Sequence, residues 1–254
     1  MLREKDLFDR SAAALDALDP LIAVYRKQDR ELLLRVANSL PRRNDVLEMR
    51  RRHYESMLHR LGVAVWDAYD ERAAQFLCLE RKAKAPGAEL PVGSMRIVPN
   101  TPVWGELRDD FGELRELLPE EAAPGGGFTV VGREVVIPSH RSLGVSAALV
   151  HASLTWWAAR TRARRLVLTS LASASSAARF FGAQPVTEPL PLGPGRVPVI
   201  VMTVELDTAR ERAESWLRGR GWVIHHGGRP AWIEAEGEWL PSWTRCPTPS
   251  PELS

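Results

Sequence analysis

The chain has 254 residues, 44% of them apolar, with 34 basic and 32 acidic side chains and a formal net charge of +2. So balanced a charge argues against a general nucleic-acid binder, whose basic excess would be lopsided. No apolar run approaches the length of about eighteen residues that a membrane-spanning helix needs. Cys78 and Cys246 suggest neither a metal site nor a disulfide framework. The six histidines show no metal spacing with carboxylates, so no metal is expected. The opening MLREKDLFDR lacks the apolar core of a signal peptide, and with the cysteine usage this points to a reducing cytoplasm.

In chain order, SAAALDALDPLIAVYRKQ and DRELLLRVANSL read as two helices, the first broken at Pro20. PRRNDVLEMRRRHYESMLHRLG reads as a third. Val46, Leu47, Tyr54, Met57, Leu58 and Leu61 share one apolar face, and Gly62 is its stop. AVWDAYD and AQFLCLERK read as a strand pair, KAPGAELP as a loop and GSMRIVP as a third strand. GELRDDFGELRELLPEEAAPGGG reads as a short helix running into a glycine-rich turn. FTVVGREVVIP follows as a strand, with Gly132 marking a bulge or a close backbone approach. Residues from Ser146 to about Arg162 read as a buried helix, apolar nearly all round. RLVLTSL is a strand, SASSAARFFGAQPV a short helix and turn, and VPVIVMTVEL the last long strand. DTARERAESWLRGRG is a helix capped by Asp207.

This order predicts a mixed α/β (α+β) layer: a twisted central sheet flanked by helices. The expected division is a helical extension over residues 1–44, a main domain over 45–206, a helix and strands packed on it over 207–243, and a disordered Pro- and Ser-rich tail over 244–254.

The junction VVIPSHRSLGVSAALVHASLTWW joins the strand to the buried helix through a basic, glycine-bearing turn. A strand entering a helix through a glycine turn exposes backbone N–H groups at the positive end of the helix dipole, where phosphate is favoured. Arg141, with Gly144 three residues on and the small Ser146 beyond, is the pattern for closing backbone on a pyrophosphate or phosphodiester while adding charge. An ordinary strand-to-helix turn with a surface arginine is the competing reading.

These residues resemble the GNAT acyltransferases, whose phosphate signature is Arg or Gln, two residues, Gly, one residue, then Gly or Ala. Arg141 and Gly144 match it, and Ser146 stands at the last small position. Upstream, RRRHYESMLHRLG, DAYD, GSMRIVPNTPVWGELRDDFGELRELLP and VGREVVIP follow the order found in the acyl-homoserine-lactone (autoinducer) synthases and the N-acyl amino acid synthases. The resemblance runs over residues 46–206. It implies a GNAT-like sheet with two splayed strands, and a fatty acyl group moved from an acyl-CoA or acyl-carrier-protein thioester to a small-molecule amine. It places Arg96, Arg133 and Val135 in the catalytic centre, and Glu134, next to Arg133, is added to them from its place on the strand. It places Val136, Arg141, Ser142, Gly144, Val145 and Ser146 on the acyl donor, with amides near Val135 and Val136 polarising the thioester carbonyl. Arg50, Asp67 and Asp70 join the two strand arginines in a charged cluster facing the acceptor.

Two departures bear on the chemistry. Where the autoinducer synthases carry a glutamate three residues before the strand arginine, this chain has Val130, and the candidate substitute base is Glu134 or a water. The short helix offers Phe180 and Phe181 where many acetyl-transferring members of the fold have a tyrosine. The run RTRARR, with Arg160, Arg162, Arg164 and Arg165, reads either as a solvated helix end or as a dock for an acidic carrier protein. The expected activity is N-acylation of an amino acid or its derivative. The alternatives are lactone synthesis from S-adenosylmethionine, an acetyl-CoA-dependent N-acetyltransferase, and a non-catalytic binding protein.

Overall fold

The structure is a computed structural model describing residues 18–82, 88–99, 129–161 and 163–226. Its first strands overturn the two-helix expectation for the N-terminal segment. β1 (Leu21–Lys27) and β2 (Arg30–Val36) form a hairpin, paired from Lys27↔Arg30 to Leu21↔Arg35. The two-residue turn holds Gln28 at φ 54, as primed hairpin turns require. In β1, Ala23 and Tyr25 alternate inward. In β2 the run LLLRV is buried on both faces. Such a short apolar run has no period that separates a central strand from a buried helix. The extension over residues 1–44 is therefore strand rather than helix from Leu21 to Val36, and its hairpin belongs to the main sheet.

α1 (Leu40–Leu61) starts at Ser39, whose amide is held by Asp19 at 2.8 Å, and has a proline in its first turn. It stops at left-handed Gly62, as the sequence indicates. Its inner face is Val46, Met49, Arg50 and Leu58, with Tyr54 half-buried. AVWDAYD is not a strand. The Asp67 carboxylate accepts the amides of Tyr69 and Asp70 at 2.9 and 3.0 Å, so the chain turns there instead of extending. β3 (Ala74–Lys82), β4 (Glu89–Pro99) and β5 (Thr129–Val136) continue the sheet, β4 beginning inside the stretch expected to be a loop. α2 (Val145–Ala158), β6 (Arg165–Leu171), the short α3 (Ser175–Phe180), β7 (Gln184–Pro185), β8 (Leu190–Leu192) and β9 (Val197–Glu205) follow. α4 (Leu206–Gly219) and β10 (Val223–His226) complete the described chain. Asp207 lies inside the first turn of α4 and pairs with Arg210 at 2.9 Å; it caps nothing, because the helix begins one residue earlier. The helix expected within residues 105–127 and the tail lie outside the described residues.

The strand order is β10-β1-β2-β3-β4-β5-β6-β9-β7, with β8 also on β9. Every pairing is antiparallel except β5 with β6. α2 and α4 cover one face; ten of the fourteen residues of α2 are buried. At roughly 1.5–3 kcal/mol per large apolar side chain, Leu149 and Leu154 anchor that layer. α1 covers the other face through Val46, Met49, Leu77, Leu79 and Val135.

Inside the α2 layer, His151 Nδ1 lies 2.7 Å from the buried Tyr25 hydroxyl, and its Nε2 lies 3.7 Å from Glu214. Burial holds the imidazole down to about 4, although Glu214 opposes the shift. The unfolded chain, with an ordinary histidine near 6.5, therefore binds the extra proton first. The contribution of this site to stability is complete above about pH 6.5 and is lost as pH falls toward 4, to a limit of about 3 kcal/mol. Urea unfolding at pH 7.5 and pH 5 should show a stability loss that shrinks in the His151→Gln variant. An equal loss in both proteins would place the acid sensitivity elsewhere.

Candidate active site

β5 and β6 are parallel and pair only at Val130↔Val167 and Val131↔Leu168; beyond these they diverge. At the divergence β5 also slips against β4. Ser94 pairs with Val135 and Arg96 with Gly132, so Arg133 and Glu134 together oppose Met95. This is a bulge, and Arg133 sits in it at φ 54, a region an arginine rarely occupies. The two bulge residues part company. Arg133 reaches the α1 face, where its guanidinium donates to Asp67 at 2.7 Å. Glu134 reaches the α2 face, where Ser146 hydrogen-bonds its carboxylate.

The gap opens into a cavity of about 320 Å³ on the α2 face. Its walls are mainly apolar, among them Met95, Val150, Leu154, Leu168 and Phe181. Its polar groups are Tyr54, Arg133, Glu134, Ser146, Thr169 and Ser170. A smaller cavity of about 80 Å³ lies on the α1 face between Leu58, Leu61, Leu192 and Val199. Both are lined by Tyr54, Val131, Gly132, Arg133, Thr169, Ser170 and Leu171. The splayed strands thus put a shared wall between the two cavities. Gly132 stands in it with nothing within 4 Å of where a side chain would begin. Its backbone needs no glycine, so the missing side chain leaves space at the gap.

Glu134 is exposed and lines the larger cavity. Loss of hydration pushes its carboxyl above the usual carboxylate range; the Ser146 hydrogen bond opposes this. The Ile137 amide donates to Val92 in β4 at 3.1 Å. Backbone direction alternates along a strand, so the Val135 amide faces β4 and the Val136 amide faces the gap. Of the two amides expected to polarise a carbonyl, Val136 has the right direction and Val135 does not.

The charged cluster assembles as the sequence indicates. Arg96 forks onto Asp67 at 2.8 and 3.2 Å and reaches Asp70 at 2.7 Å. Arg50 donates to Asp70 at 2.7 Å and to Gln75 at 2.9 Å. Burial alone would raise the Asp70 carboxyl, but Arg50 and Arg96 hold it well below its ordinary value. Burial lowers Arg50, with Asp70 opposing. Arg50, Asp70 and Arg96 are all 0% exposed, and neither they nor Asp67 line the two cavities. Of the three residues expected to face the acceptor, Arg50 and Asp70 are fully buried and Asp67 is half-buried. They form a brace beneath Arg133. Gln75, which the sequence reading passed over, belongs to it; a buried amide on an apolar strand was the available signal.

At the turn before α2, Ser142 has φ 67 and Gly144 φ 92. A side chain at Gly144 would begin 3.1 Å from Trp222 Nε1 and 3.3 Å from Trp216 Cζ3. The glycine is thus required by backbone and tryptophan packing, whatever binds there. The first intrahelical bond is Ala148 N–H to Gly144 at 2.9 Å, which leaves the amides of Val145, Ser146 and Ala147 directed outward from the helix start. Arg141 and Ser142 are exposed beside them, and the Val145 side chain is buried.

The arginine run does not form one open patch. Arg160 stacks over Trp156 at 4.0 Å and donates to the Trp156 carbonyl at 2.9 Å; burial lowers it to about 10. Arg165 pairs with Glu205 at 3.0 Å. Arg164 is exposed, and Arg162 lies outside the described residues. The run also sits at the far end of α2 from the donor turn, about 21 Å away for fourteen helical residues. Among the described residues, no group of His, Cys, Asp and Glu is placed to hold a metal, and no helix is long and apolar enough to cross a membrane.

No protein-family model matches the sequence, and no curated protein matches it. Solved structures do match. FeeM, an N-acyl amino acid synthase from uncultured soil microbes, is 14% identical with a TM-score of 0.52, over 72% of this chain and 95% of that one. A putative arylalkylamine N-acetyltransferase 7 from the yellow fever mosquito is 12% identical with a TM-score of 0.53, over 70% and 88%. The CoA-dependent acyl-homoserine lactone synthase BjaI, solved with SAM and isopentyl-CoA, is 13% identical with a TM-score of 0.50, over 72% and 86%. The chain has the GNAT fold. In GNAT terms, the diverging β5 and β6 are the splayed pair expected from the sequence.

Two substitutions test this reading. Asp70→Ala leaves buried guanidinium groups uncompensated and should cost about 3–5 kcal/mol in urea unfolding; a loss under about 1 kcal/mol would mean that the brace is not structural. Gly132→Val should leave thermal unfolding nearly unchanged but fill the gap. Under the acyl-transfer reading proposed below, activity should then fall on the order of a hundredfold, and activity at the wild-type rate would show that the gap is not the reaction channel.

Proposed function

We propose that this protein is an N-acyltransferase that moves an apolar acyl group from a coenzyme A thioester to the amino group of an amino acid or a derivative. The observation that carries the reading is the divergence of β5 and β6 between two cavities that share their lining. An apolar cavity on the α2 face shares its wall with a smaller one on the α1 face, with an outward amide at Val136 and a carboxylate at Glu134 beside the gap. The acyl chain lies against Val150, Leu154 and Phe181. The thioester carbonyl is polarised by the Val136 amide. The phosphates of the donor meet Arg141 and the first amides of α2. The amine meets the thioester at the gap and gives its proton to Glu134 on the α2 face.

A free coenzyme A donor is favoured over a carrier protein, because Arg160 and Arg165 are engaged within the molecule and their run lies at the wrong end of α2. An open amide is favoured over a lactone. Val130, where a carboxylate would serve the autoinducer synthases, is 2% exposed among Val98, Val167 and Val201. Ring closure would require a second positioned step that this strand does not equip.

The deciding experiment incubates purified protein with octanoyl-coenzyme A, the twenty L-amino acids and S-adenosylmethionine, and reads products by mass spectrometry. N-octanoyl amino acids are expected. Octanoyl-homoserine lactone with methylthioadenosine would move the protein to the autoinducer activity, and no acylated amine would sink the reading. Glu134→Gln should lower kcat on the order of a hundredfold or more with octanoyl-coenzyme A binding retained. In the wild type, the acid limb of kcat/KM should lie above the ordinary glutamate range, because the base must be deprotonated and its carboxyl is raised. The limb should vanish in the variant.

A further inference from the structure

We infer that Ser139, His140 and Glu80 form a second reactive centre, a serine nucleophile with its base, that attacks small carboxylic esters at the protein surface. The Ser139 hydroxyl lies 2.9 Å from His140 Nδ1, and His140 Nε2 lies 3.0 Å from Glu80 Oε2. Glu80 is 3% exposed and His140 8%, whereas Ser139 is exposed. Arg30 donates to the other Glu80 oxygen at 2.7 Å through Nε, and again through a terminal nitrogen. A carboxylate only accepts, so Nε2 carries the ring hydrogen, and Nδ1 of the neutral imidazole is left as an acceptor. The Ser139 hydroxyl therefore donates to Nδ1. A nucleophile, a base within hydrogen-bond reach and a third group that orients the base together make an activated serine. Neither Ser139 nor His140 lines the two cavities at the gap, so this centre is separate from the acyl-transfer reading and does not rest on it.

The local sequence builds the arrangement. β3 turns Phe76 and Cys78 into the core beneath α2, and Glu80 follows on the same face two residues on. The one-turn 3-10 segment Pro138–His140 opens on a proline, whose missing N–H is no loss there. The His140 amide donates to the Ile137 carbonyl at 2.9 Å, and the His140 carbonyl accepts the Leu143 amide at 3.2 Å, so the backbone is fixed on both sides of the ring. Burial alone would raise the Glu80 carboxyl, but the hydrogen bonds from His140 and Arg30 hold it below the usual carboxylate range. It is therefore charged at neutral pH and stabilises the imidazolium that forms in the reaction. Glu80 acts through His140, as a positioning residue. In the first step Ser139 Oγ bonds to the ester carbon and gives its proton to His140 Nδ1. The bond from that carbon to the alcohol oxygen breaks with its electron pair on oxygen, which takes the proton and leaves. Water then repeats the sequence on the acyl-serine, releasing the acid and restoring Ser139. Because Ser139 stands at the surface, outside both cavities, short acyl groups with good leaving groups suit it.

The test treats the full chain with diisopropyl fluorophosphate, which phosphorylates an activated serine and releases fluoride. One adduct is expected, placed on Ser139 by peptide mass spectrometry. The protein should also hydrolyse p-nitrophenyl acetate, with kcat/KM falling on the order of a hundredfold in Ser139→Ala and in His140→Gln, which keeps a donor to Glu80 but offers no base. Nitrogen-15 NMR of histidine-labelled wild type at neutral pH should show His140 with its hydrogen on Nε2, and Glu80→Gln should lose both that signature and the labelling while circular dichroism is unchanged. No adduct, an adduct on another serine, equal labelling of His140→Gln, or a wild-type ring with its hydrogen on Nδ1 would overturn the assignment. Octanoyl transfer to amino acids by Ser139→Ala should be unchanged; loss of both activities together would merge the two centres and overturn their separation. Labelling of Ser139 in a protein that transfers no octanoyl group would sink the acyl-transfer reading alone.

Discussion

The bulge at Arg133 and Glu134 is the constraint on which the site depends. A regular β5 would pair on with β4 and run flush beside β6, and the gap between β5 and β6 would close. The slip of one residue against Met95 changes the direction and twist of the strand where it parts from β6. An arginine at φ 54 does not stay there by preference, because left-handed backbone costs a residue with a side chain of order 1–3 kcal/mol. The ion pair to Asp67 supplies the hold, and Asp67 is itself fixed by Arg96 and by its own turn. The buried brace therefore acts at a distance from the chemistry. It keeps the strand bent.

The same arrangement gives the two faces of the sheet different characters. Beneath α1 the chain stores charge: three guanidinium groups and two carboxylates in fixed geometry, nearly closed to solvent. Beneath α2 it stores apolar volume, with one carboxylate raised by its surroundings. The acyl thioester and the amine of the proposed reaction have correspondingly different needs. The acyl chain seeks apolar walls, and the amine needs a base whose proton affinity is above that of an ordinary carboxylate. A gap in the sheet is the simplest way to let them meet without bringing water through either layer.

Much of this was legible from residue order. The strand before the glycine turn, the buried α2, the cap of α1 and the five members of the charged cluster were all readable, because each leaves a local signal: a turn residue, an apolar period, or a polar group inside an apolar run. The hairpin β1–β2 was not. Its turn is Gln28–Asp29, without the glycine that usually marks a primed turn, and LLLRV fits a helix as well as a central strand. The turn at Asp67 was read as a strand because valine and tryptophan precede it, although the Asp-x-x-Asp spacing carried the hydrogen-bonded turn. Which face each cluster member serves was beyond the sequence. Arg50 and Asp70 looked like ligands because charged residues in an apolar context suggest function, yet full burial makes them framework.

Buried ion clusters of this kind are seldom the most stable way to fill space, since well-packed apolar side chains often do as well or better. Their use here follows from what must be fixed. Apolar packing is tolerant of small shifts, whereas the fork of Arg96 on Asp67 specifies both distance and plane. Moving Asp67 by an ångström would weaken its ion pair to Arg133. Weakening that pair would let the bulge relax toward regular pairing, and with it the directions of Glu134 and of the Val136 amide. The charged layer thus sets a backbone geometry that apolar packing would leave loose, and the open gap is the consequence of that geometry.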